Sequence, residues 1–188
     1  LQGAMDIIAE DVSDNAEYRK EIRALTFNHG LLVTKQAKEE DSVYAQYYDY
    51  NEKVNKIPSH RVLAINRGEK EEFLKVDVVV DVNLIHSFLF NQVIDSDKSP
   101  AKEHIVAAIV DSYDRLIAPS VEREIRSDLF DNACEGAIKL FSDNLKHLLM
   151  QSPLKGKTVL GFDPGYVNGC KTAVVDKTGK VIDTAVVY

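Results

Sequence analysis

With 188 residues, the chain exceeds the size at which a hydrophobic core is marginal, and it has room for one large domain or two small ones. Its 45% hydrophobic and 28% charged residues are typical of a globular protein, and no apolar run approaches the roughly 20 residues of a membrane-spanning helix. The net charge of −7 argues against a nucleic-acid-binding surface spread over the whole chain, because such binding comes largely from lysines and arginines that neutralise phosphates.

The chain ends and the cysteines indicate whether the sequence is part of a longer protein and in which redox compartment it is found. Leu1 opens the chain without an initiator methionine, and Tyr188 ends an apolar alternation with no turn after it, so we expect an internal fragment of a longer protein. Cys134 and Cys170 lie far apart and outside any CxxC pair, which argues against a disulfide framework or a zinc site. An intracellular, reducing compartment is the expectation.

The first elements are predicted to be two helices. Apolar residues fall at helical spacing between Met5 and Phe27, with Ser13 and Asp14 as the break and N-cap between the helices. Gly30 follows as the C-terminal stop.

Four tyrosines then lie close together, at positions 44, 47, 48 and 50. They are compatible with a platform on which bases stack. However, Tyr44, Tyr47 and Tyr48 are spaced i, i+3, i+4 on one helical face, and such a stripe usually covers a core. We therefore favour packing.

The middle of the chain alternates helix and strand signals. Residues 58–70 predict a short helix, with Pro58 near its first turn and Gly68 as its terminator. Residues 73–81 are rich in valine and predict a strand, and residues 84–94 predict a helix.

A long helix is the main prediction for the following segment. A helical run from Pro100 to Ala118 precedes Pro119, which is tolerated in the first turn of a new helix. Apolar residues then recur every four positions to Met150, at Val121, Ile125, Leu129, Ala133, Ala137, Phe141 and Leu145. At 1.5 Å per residue this helix is on the order of 45 Å long.

The pattern changes after Gly156. Residues 158–162, 171–175 and 181–187 are short β-branched runs, and a glycine-containing turn at 176–180 joins the last two. A three-stranded antiparallel meander is predicted, with a domain boundary near Ser152 and Pro153.

Asp163 is the residue in this segment that is the best candidate for a catalytic or metal-binding role. It ends the first predicted strand and precedes Pro164 and Gly165, a pattern in which the carboxylate can bind Mg²⁺ and the loop amides can approach phosphate. Two-metal phosphoryl transfer, however, needs several carboxylates around ions about 3.5–4 Å apart. A strand, this Asp-Pro-Gly turn and a hairpin resemble the opening of ribonuclease H-like domains of the YqgF and Holliday-junction-resolvase type. Actin-like ATPases also begin with a strand, an Asp-x-Gly turn and a hairpin, so the motif alone distinguishes the two only weakly.

Longer stretches distinguish these possibilities. The chain resembles the bacterial Tex family of transcription accessory proteins in four segments: YAQYYDYNEKVNKIPSHR at 44–61, HRVLAINRGEKEEFLKV at 60–76, DSYDRLIAPSVEREIRSDL at 111–129, and LLMQSPLKGKTVLGFDPGYVNGCKTAVVDKTGKVIDTAVVY at 148–188.

The resemblance implies a fold and a domain division. We expect a mainly α-helical N-terminal region with a long helix over residues 1–152. An incomplete ribonuclease H-like, YqgF-type α/β domain follows over residues 153–188 as a three-stranded antiparallel meander. The helix-hairpin-helix and S1 domains of the family are expected outside this segment.

The resemblance also implies a function. The expected protein is cytoplasmic, binds RNA or DNA mainly through other domains and associates with the transcription machinery, and this segment acts as a scaffold. A YqgF-like domain of this family is expected to be catalytically inactive, so no cofactor is implied. The alternative is a Mg²⁺-dependent ribonuclease H-like nuclease in which Asp163 is catalytic and holds the metal; an actin-like phosphotransferase is a third possibility. The edge of a three-stranded sheet also suggests self-association.

Three residues of the 58–70 segment, His60, Arg61 and Arg67, are candidates for contact with nucleic acid. On a helix Arg61 and Arg67 do not stack, since neighbouring side chains lie three or four positions apart. The competing interpretation, which we favour, is that these residues pair with nearby acids such as Glu69, Glu71 and Glu72.

Overall fold

The computed structural model describes residues 1–94, 100–152 and 154–188. The chain divides into two compact units, Leu1–Leu140 and Phe141–Tyr188. The predicted domain boundary at residues 152 and 153 involves Pro153, which lies outside the described residues, and it stays a prediction. Within the described ranges, none of the helices is both long and apolar enough to cross a bilayer.

The described elements come in the following order. The chain begins with α1 (Gln2–Asp14), α2 (Ala16–His29), β1 (Leu31–Gln36), a 3₁₀ turn (Ala45–Tyr47), β2 (Asp49–Lys53), α3 (Ser59–Lys70), β3 (Leu74–Val79) and α4 (Val82–Val93). It continues with α5 (Lys102–Asp111), a π-helical segment (Ser112–Ile117), α6 (Ala118–Leu149), β4 (Val159–Asp163), β5 (Cys170–Val175) and β6 (Val181–Val187). The predicted class, a mainly helical region with a long helix followed by a three-stranded antiparallel sheet, is confirmed.

The junction between α1 and α2 differs from the prediction by one or two residues. Ser13 and Asp14 are the last residues of α1, so neither is the cap. The side-chain oxygen of Asn15 accepts hydrogen bonds from the N–H groups of Glu17 at 3.0 Å and Tyr18 at 3.1 Å. Asn15 is therefore the N-cap, because it occupies an extended conformation from which its amide reaches both unpaired donors.

Strands β1 and β2 lie outside the predicted elements, whereas β3 confirms the strand predicted over 73–81. The three form a sheet of order β2-β1-β3 with antiparallel pairing throughout. Thr34 lies in the centre of this sheet opposite Tyr50 and Val76, is fully buried, and donates its hydroxyl to the carbonyl of Tyr47. The central strand thus carries a satisfied polar residue in place of an apolar one.

The tyrosine cluster packs, as predicted, but not on a helix. Tyr44 and Tyr47 are buried in the core of the first unit, with Tyr44 against Phe73 at 6.0 Å and Tyr47 edge-on to Tyr50 at 5.4 Å between ring centroids. The backbone forms a 3₁₀ turn and then β2. A turn that is followed by a strand can present the same residues to a core as a helix would.

Gly68 does not terminate α3, contrary to the prediction. It lies inside the helix and is buried, beneath Leu74 and Tyr44. The chain leaves the helix after Lys70 and reverses at Glu72, which has a φ of 62°. Gly68 is needed there because neighbouring side chains come close to the backbone, not because the helix ends.

The predicted break at Pro119 is also wrong, since α5, the π-helical segment and α6 form one continuous helical run from Lys102 to Leu149. In the π-helical segment the N–H of Ala118 bonds to the carbonyl of Tyr113, five residues back. Pro119 follows at once and has no N–H to donate. The wider turn accommodates the proline, which in a regular helix interior would clash with the preceding turn.

The second unit contains the predicted meander, with strand order β4-β5-β6 and antiparallel pairing. The turn between β5 and β6 is held by Asp176, whose carboxylate accepts hydrogen bonds from the N–H groups of Thr178 at 2.8 Å and Lys180 at 3.0 Å. Gly179 has a φ of 87°, which favours glycine. The turn prediction is confirmed.

Candidate nucleic-acid interface

The candidate residues of α3, His60, Arg61 and Arg67, lie in different surroundings. Arg61 pairs with Glu52 of β2 at 2.9 Å between Nη1 and Oε2, and it also donates to the Tyr50 hydroxyl at 2.9 Å. Its guanidinium lies 5.7 Å from the centroid of the Tyr50 ring. Arg61 therefore joins α3 to β2 through an acid, but the partner is Glu52 rather than Glu69, Glu71 or Glu72.

The charge state of Glu52 reflects this cluster. The Tyr50 hydroxyl donates to Glu52, and this hydrogen bond is the largest cause that lowers the pKa of the Glu52 carboxyl, followed by the Arg61 guanidinium. His60, exposed in the first turn of α3, adds a smaller effect in the same direction on that pKa. Burial beside Glu52 raises the pKa of Tyr50. The cluster is a structural ion pair with its hydrogen bonds satisfied.

Arg67 faces away from that cluster, as the helical spacing predicts. It lines a cleft of about 570 Å³ together with Leu63, Asn66, Glu69, Lys70 and Phe130. A second cleft of about 300 Å³ shares Asn66 and Phe130 with the first and adds Arg123, Arg126 and Ser127. The two clefts adjoin between α3 and α6, and we call them together the α3–α6 groove.

The charges in the α3–α6 groove fall into two groups. Arg126 pairs with Glu69 and also donates to the backbone carbonyl of Val76 at 3.1 Å. Across the described ranges, by contrast, no side-chain ion pair or hydrogen bond is made by Arg67, Lys70 or Arg123. The groove thus has three uncompensated positive charges. Among Arg67, Lys70 and Arg123, the sequence identifies Arg67 alone as a candidate for contact with nucleic acid.

The sequence prediction does not include Arg123 and Phe130, because the pattern that predicts α6 is its apolar repeat. The signal that points to them is a polar one: Arg123, Arg126, Ser127 and Phe130 follow the spacing i, i+3, i+4, i+7 of a single helical face. Their relation to Arg67 depends on tertiary packing and is not visible in the sequence.

Asp163 is the last residue of β4 and is exposed. Its register partner on β5 is Lys171. In the part of the chain that the structure describes, no three His, Cys, Asp or Glu side chains come together as metal ligands would. After Asp163 the loop closes tightly, since a Cβ on Gly165 would lie 2.4 Å from the carbonyl oxygen of Gly169. Asp163 is thus placed at the end of its strand as expected, outside any cluster of three such side chains among those residues.

Comparison with known proteins agrees with the two-part organisation. The model for the Tex central region-like family matches residues 1–141, and the model for the Tex protein YqgF-like domain matches residues 157–188. The three-stranded meander of the second unit lies inside the second match, as part of a YqgF-like domain.

Three relatives show the extent of the similarity. The uncharacterized protein YdcI of Bacillus subtilis (strain 168) is 47% identical over 192 residues, covering 100% of this chain and 27% of the relative. The transcriptional accessory protein Tex of Neisseria gonorrhoeae is 34% identical, covering 100% and 26%. The S1 RNA-binding domain-containing protein 1 of Homo sapiens is 33% identical, covering 99% and 20%.

The chain therefore spans about a quarter of the length of the bacterial relatives it matches. Both matched models carry the Tex name, they follow each other in chain order, and together they cover most of the sequence. The resemblance to Tex inferred from the four sequence segments is confirmed, and the chain belongs to the Tex family.

Proposed function

We propose that this chain is part of a transcription accessory protein that binds RNA or DNA, and that the segment acts mainly as a non-catalytic scaffold in the cytoplasm. The observation that carries the proposal is the match to both Tex models in order along the chain. One relative is named a transcriptional accessory protein and another an S1 RNA-binding domain-containing protein. Both names point to a nucleic-acid-related role.

The ion pairs of the first unit support the scaffold role. Among the described residues, five arginines have acidic partners: Arg19 and Arg23 bind Glu124, Arg61 binds Glu52, Arg115 binds Asp111, and Arg126 binds Glu69. Several of these pairs link separate elements, such as α2 to α6 and β2 to α3. The positive charge of these arginines is compensated by an adjacent acid, so most of the affinity for nucleic acid is expected from other domains.

The non-catalytic part of the proposal rests on the chemistry of phosphoryl transfer. A two-metal site needs several carboxylates to hold its ions. Asp163 is one carboxylate, with Lys171 as its register partner. Asp176 is engaged in the β5–β6 turn, and its hydrogen bonds from Thr178 and Lys180 lower the pKa of its carboxyl. We therefore propose that Asp163 has no role in metal-dependent cleavage.

The test compares the full-length protein with its Asp163→Asn variant, and Asp183→Asn on β6 is the matched control. We expect equal affinity of all three proteins for labelled 30-nucleotide RNA and DNA, and a decrease of that affinity with salt. A nuclease assay with Mg²⁺ is run in parallel. Cleavage that occurs with the wild type and with Asp183→Asn, but not with Asp163→Asn, would establish the nuclease alternative and overturn the scaffold proposal.

The proposed protein partners are the transcription machinery and a second copy of the chain. The second partner is suggested by the outer strands β4 and β6 of the meander, each of which is paired with β5 alone in the described sheet. Unpaired strand edges favour association with other strands. Sedimentation at increasing protein concentration tests self-association, and a constant monomer mass would refute it.

A further inference from the structure

The α3–α6 groove is bordered by two matching helical stripes. On α3 the stripe consists of Leu63, Asn66, Arg67 and Lys70. On α6 it consists of Arg123, Arg126, Ser127 and Phe130. Each stripe follows the spacing i, i+3, i+4, i+7, so each extends over two turns, or about 10 Å.

In the part of the chain that the structure describes, the arginines fall into two groups: those with an acidic partner, and those in this groove without one. The sequence contains seven arginines, at positions 19, 23, 61, 67, 115, 123 and 126. Five of them form the ion pairs described above. The two without an acidic partner in the described ranges, Arg67 and Arg123, lie on opposite sides of the same groove, with Lys70 beside Arg67. The chain has a net charge of −7, whereas the groove is lined by four basic residues and one acid, Glu69, which pairs with Arg126. The groove is therefore a local concentration of positive charge.

Phe130 gives the groove a second chemical feature. Its side chain lines both clefts and the residue is 41% exposed. Asn66 also lines both clefts and Ser127 lines the smaller one, so the groove contains an amide and a hydroxyl as well as the ring. A partly exposed aromatic ring among arginines and lysines is the combination on which unpaired bases stack while the phosphates meet positive charges.

We infer that the α3–α6 groove binds a short single-stranded stretch of nucleic acid, with a base on Phe130 and phosphates on Arg67, Lys70 and Arg123. The inference rests on the proposed nucleic-acid binding of the protein and assigns part of it to this segment. A cleft of about 570 Å³ has the size of a small-ligand pocket, which suits one or two nucleotides rather than a duplex. An acidic peptide would satisfy the positive charges, but it gives no reason for an exposed ring between them.

The test uses the 188-residue chain and a fluorescein-labelled 12-nucleotide oligouridylate, followed by fluorescence anisotropy. Three phosphate contacts predict a slope of about −2 for log affinity against log salt, because each contact on a single strand contributes about −0.7. Affinity is then expected to fall about 20-fold between 50 and 200 mM salt. Arg67→Ala and Arg123→Ala are each expected to reduce the slope by about 0.7.

The ring is tested separately from the charges. Phe130→Ala is expected to weaken binding about 5-fold or more, since a stacked base contributes about 1–3 kcal/mol, whereas Phe130→Tyr retains the ring and the affinity. Lys70→Ala is expected to reduce the salt slope by about 0.7. Lys56→Ala is its matched control, because Lys56 is exposed and lies before the opposite end of α3. The control is expected to bind like the wild type.

The outcomes separate this inference from the proposed function. If the full-length protein binds RNA or DNA, but in the 188-residue chain the Phe130→Ala and Arg67→Ala variants bind the oligouridylate as well as the wild type does, the groove assignment is overturned and the proposed function stands. If the full-length wild type binds neither RNA nor DNA, the proposed function itself fails. Tighter binding of a glutamate-rich, phenylalanine-containing peptide than of the oligouridylate would assign the groove to an acidic protein partner and would also overturn the inference.

Discussion

Replacing Gly68 by alanine places a methyl group against two buried side chains. A Cβ at this position would lie 2.7 Å from Cδ1 of Leu74, 3.0 Å from its Cγ and 3.1 Å from Cδ1 of Tyr44. Leu74 is 3% exposed and Tyr44 is 5% exposed, so neither side chain can move into solvent to relieve the contact. The overpacking is expected to cost about 1–3 kcal/mol.

Helix propensity acts in the opposite direction. Alanine in a helix interior is more stable than glycine by about 1 kcal/mol. The net expectation for Gly68→Ala is a destabilisation of about 1 kcal/mol, with a range of about 0–2 kcal/mol.

Gly136 on α6 is the matched control. A Cβ there meets no atom closer than Oγ of Ser59 at 3.9 Å, and the residue is exposed. Gly136→Ala is therefore expected to stabilise the first unit by about 1 kcal/mol, because only the propensity changes. The difference between the two variants isolates the cost of crowding at Gly68.

The assay is urea unfolding followed by far-ultraviolet circular dichroism, which reports mainly the helices of the first unit. A change in midpoint at constant slope indicates a change in stability. In a Leu74→Ala background the contacts with Leu74 are removed and the one with Tyr44 at 3.1 Å remains, so Gly68→Ala should cost less stability there than in the wild type. Equal stabilisation by Gly68→Ala and Gly136→Ala in the wild-type background would refute the packing around Gly68 that this reasoning uses.

Two further predictions concern α2 and β2. Asn15→Ala removes the acceptor of the Glu17 and Tyr18 N–H groups and is expected to lower the free energy of unfolding by about 1 kcal/mol. Asn15→Asp retains the cap, and a melting temperature of Asn15→Ala equal to that of the wild type would contradict the assignment. The pKa of Glu52 is lowered below its ordinary value of 4.5, so its stabilising contribution is complete above that pH and is lost as the pH falls through the folded-state pKa. Glu52→Gln should therefore lose less stability than the wild type on acidification below pH 4.5, by up to about 1 kcal/mol, and identical acid sensitivity in pH-dependent urea unfolding would contradict the expectation.

The elements that were predicted correctly are those with a strong local signal. The meander of the second unit has β-branched strands and a turn with a glycine of positive φ, so its pattern is encoded within about 30 residues. The long helix is marked by an apolar repeat. Its continuity through Pro119 was missed because the π-helical turn that admits the proline is a backbone adjustment without a sequence signature of its own.

Strands β1 and β2 show the limit of local patterns. The β2 sequence, Asp-Tyr-Asn-Glu-Lys, has one residue of high β-propensity, and its extended form depends on pairing with β1. Strand propensity is largely a property of the sheet that surrounds a residue. The same holds for the groove, since Arg67 and Phe130 are far apart in sequence and lie near each other because α3 and α6 border one cleft.

Salt distinguishes the two classes of arginine that the structure defines. The arginines with acidic partners lie near the surface, with 24–53% of their side chains exposed. Such exposed ion pairs contribute little to stability. Moderate salt should therefore hardly change the free energy of unfolding. Binding by Arg67, Lys70 and Arg123 depends instead on the release of counterions from phosphates and decreases steeply over the same salt range. Salt that abolishes oligonucleotide binding but leaves the circular dichroism unchanged therefore acts on the unpaired charges of the α3–α6 groove. Loss of both signals at the same salt concentration would instead indicate that the scaffold unfolds.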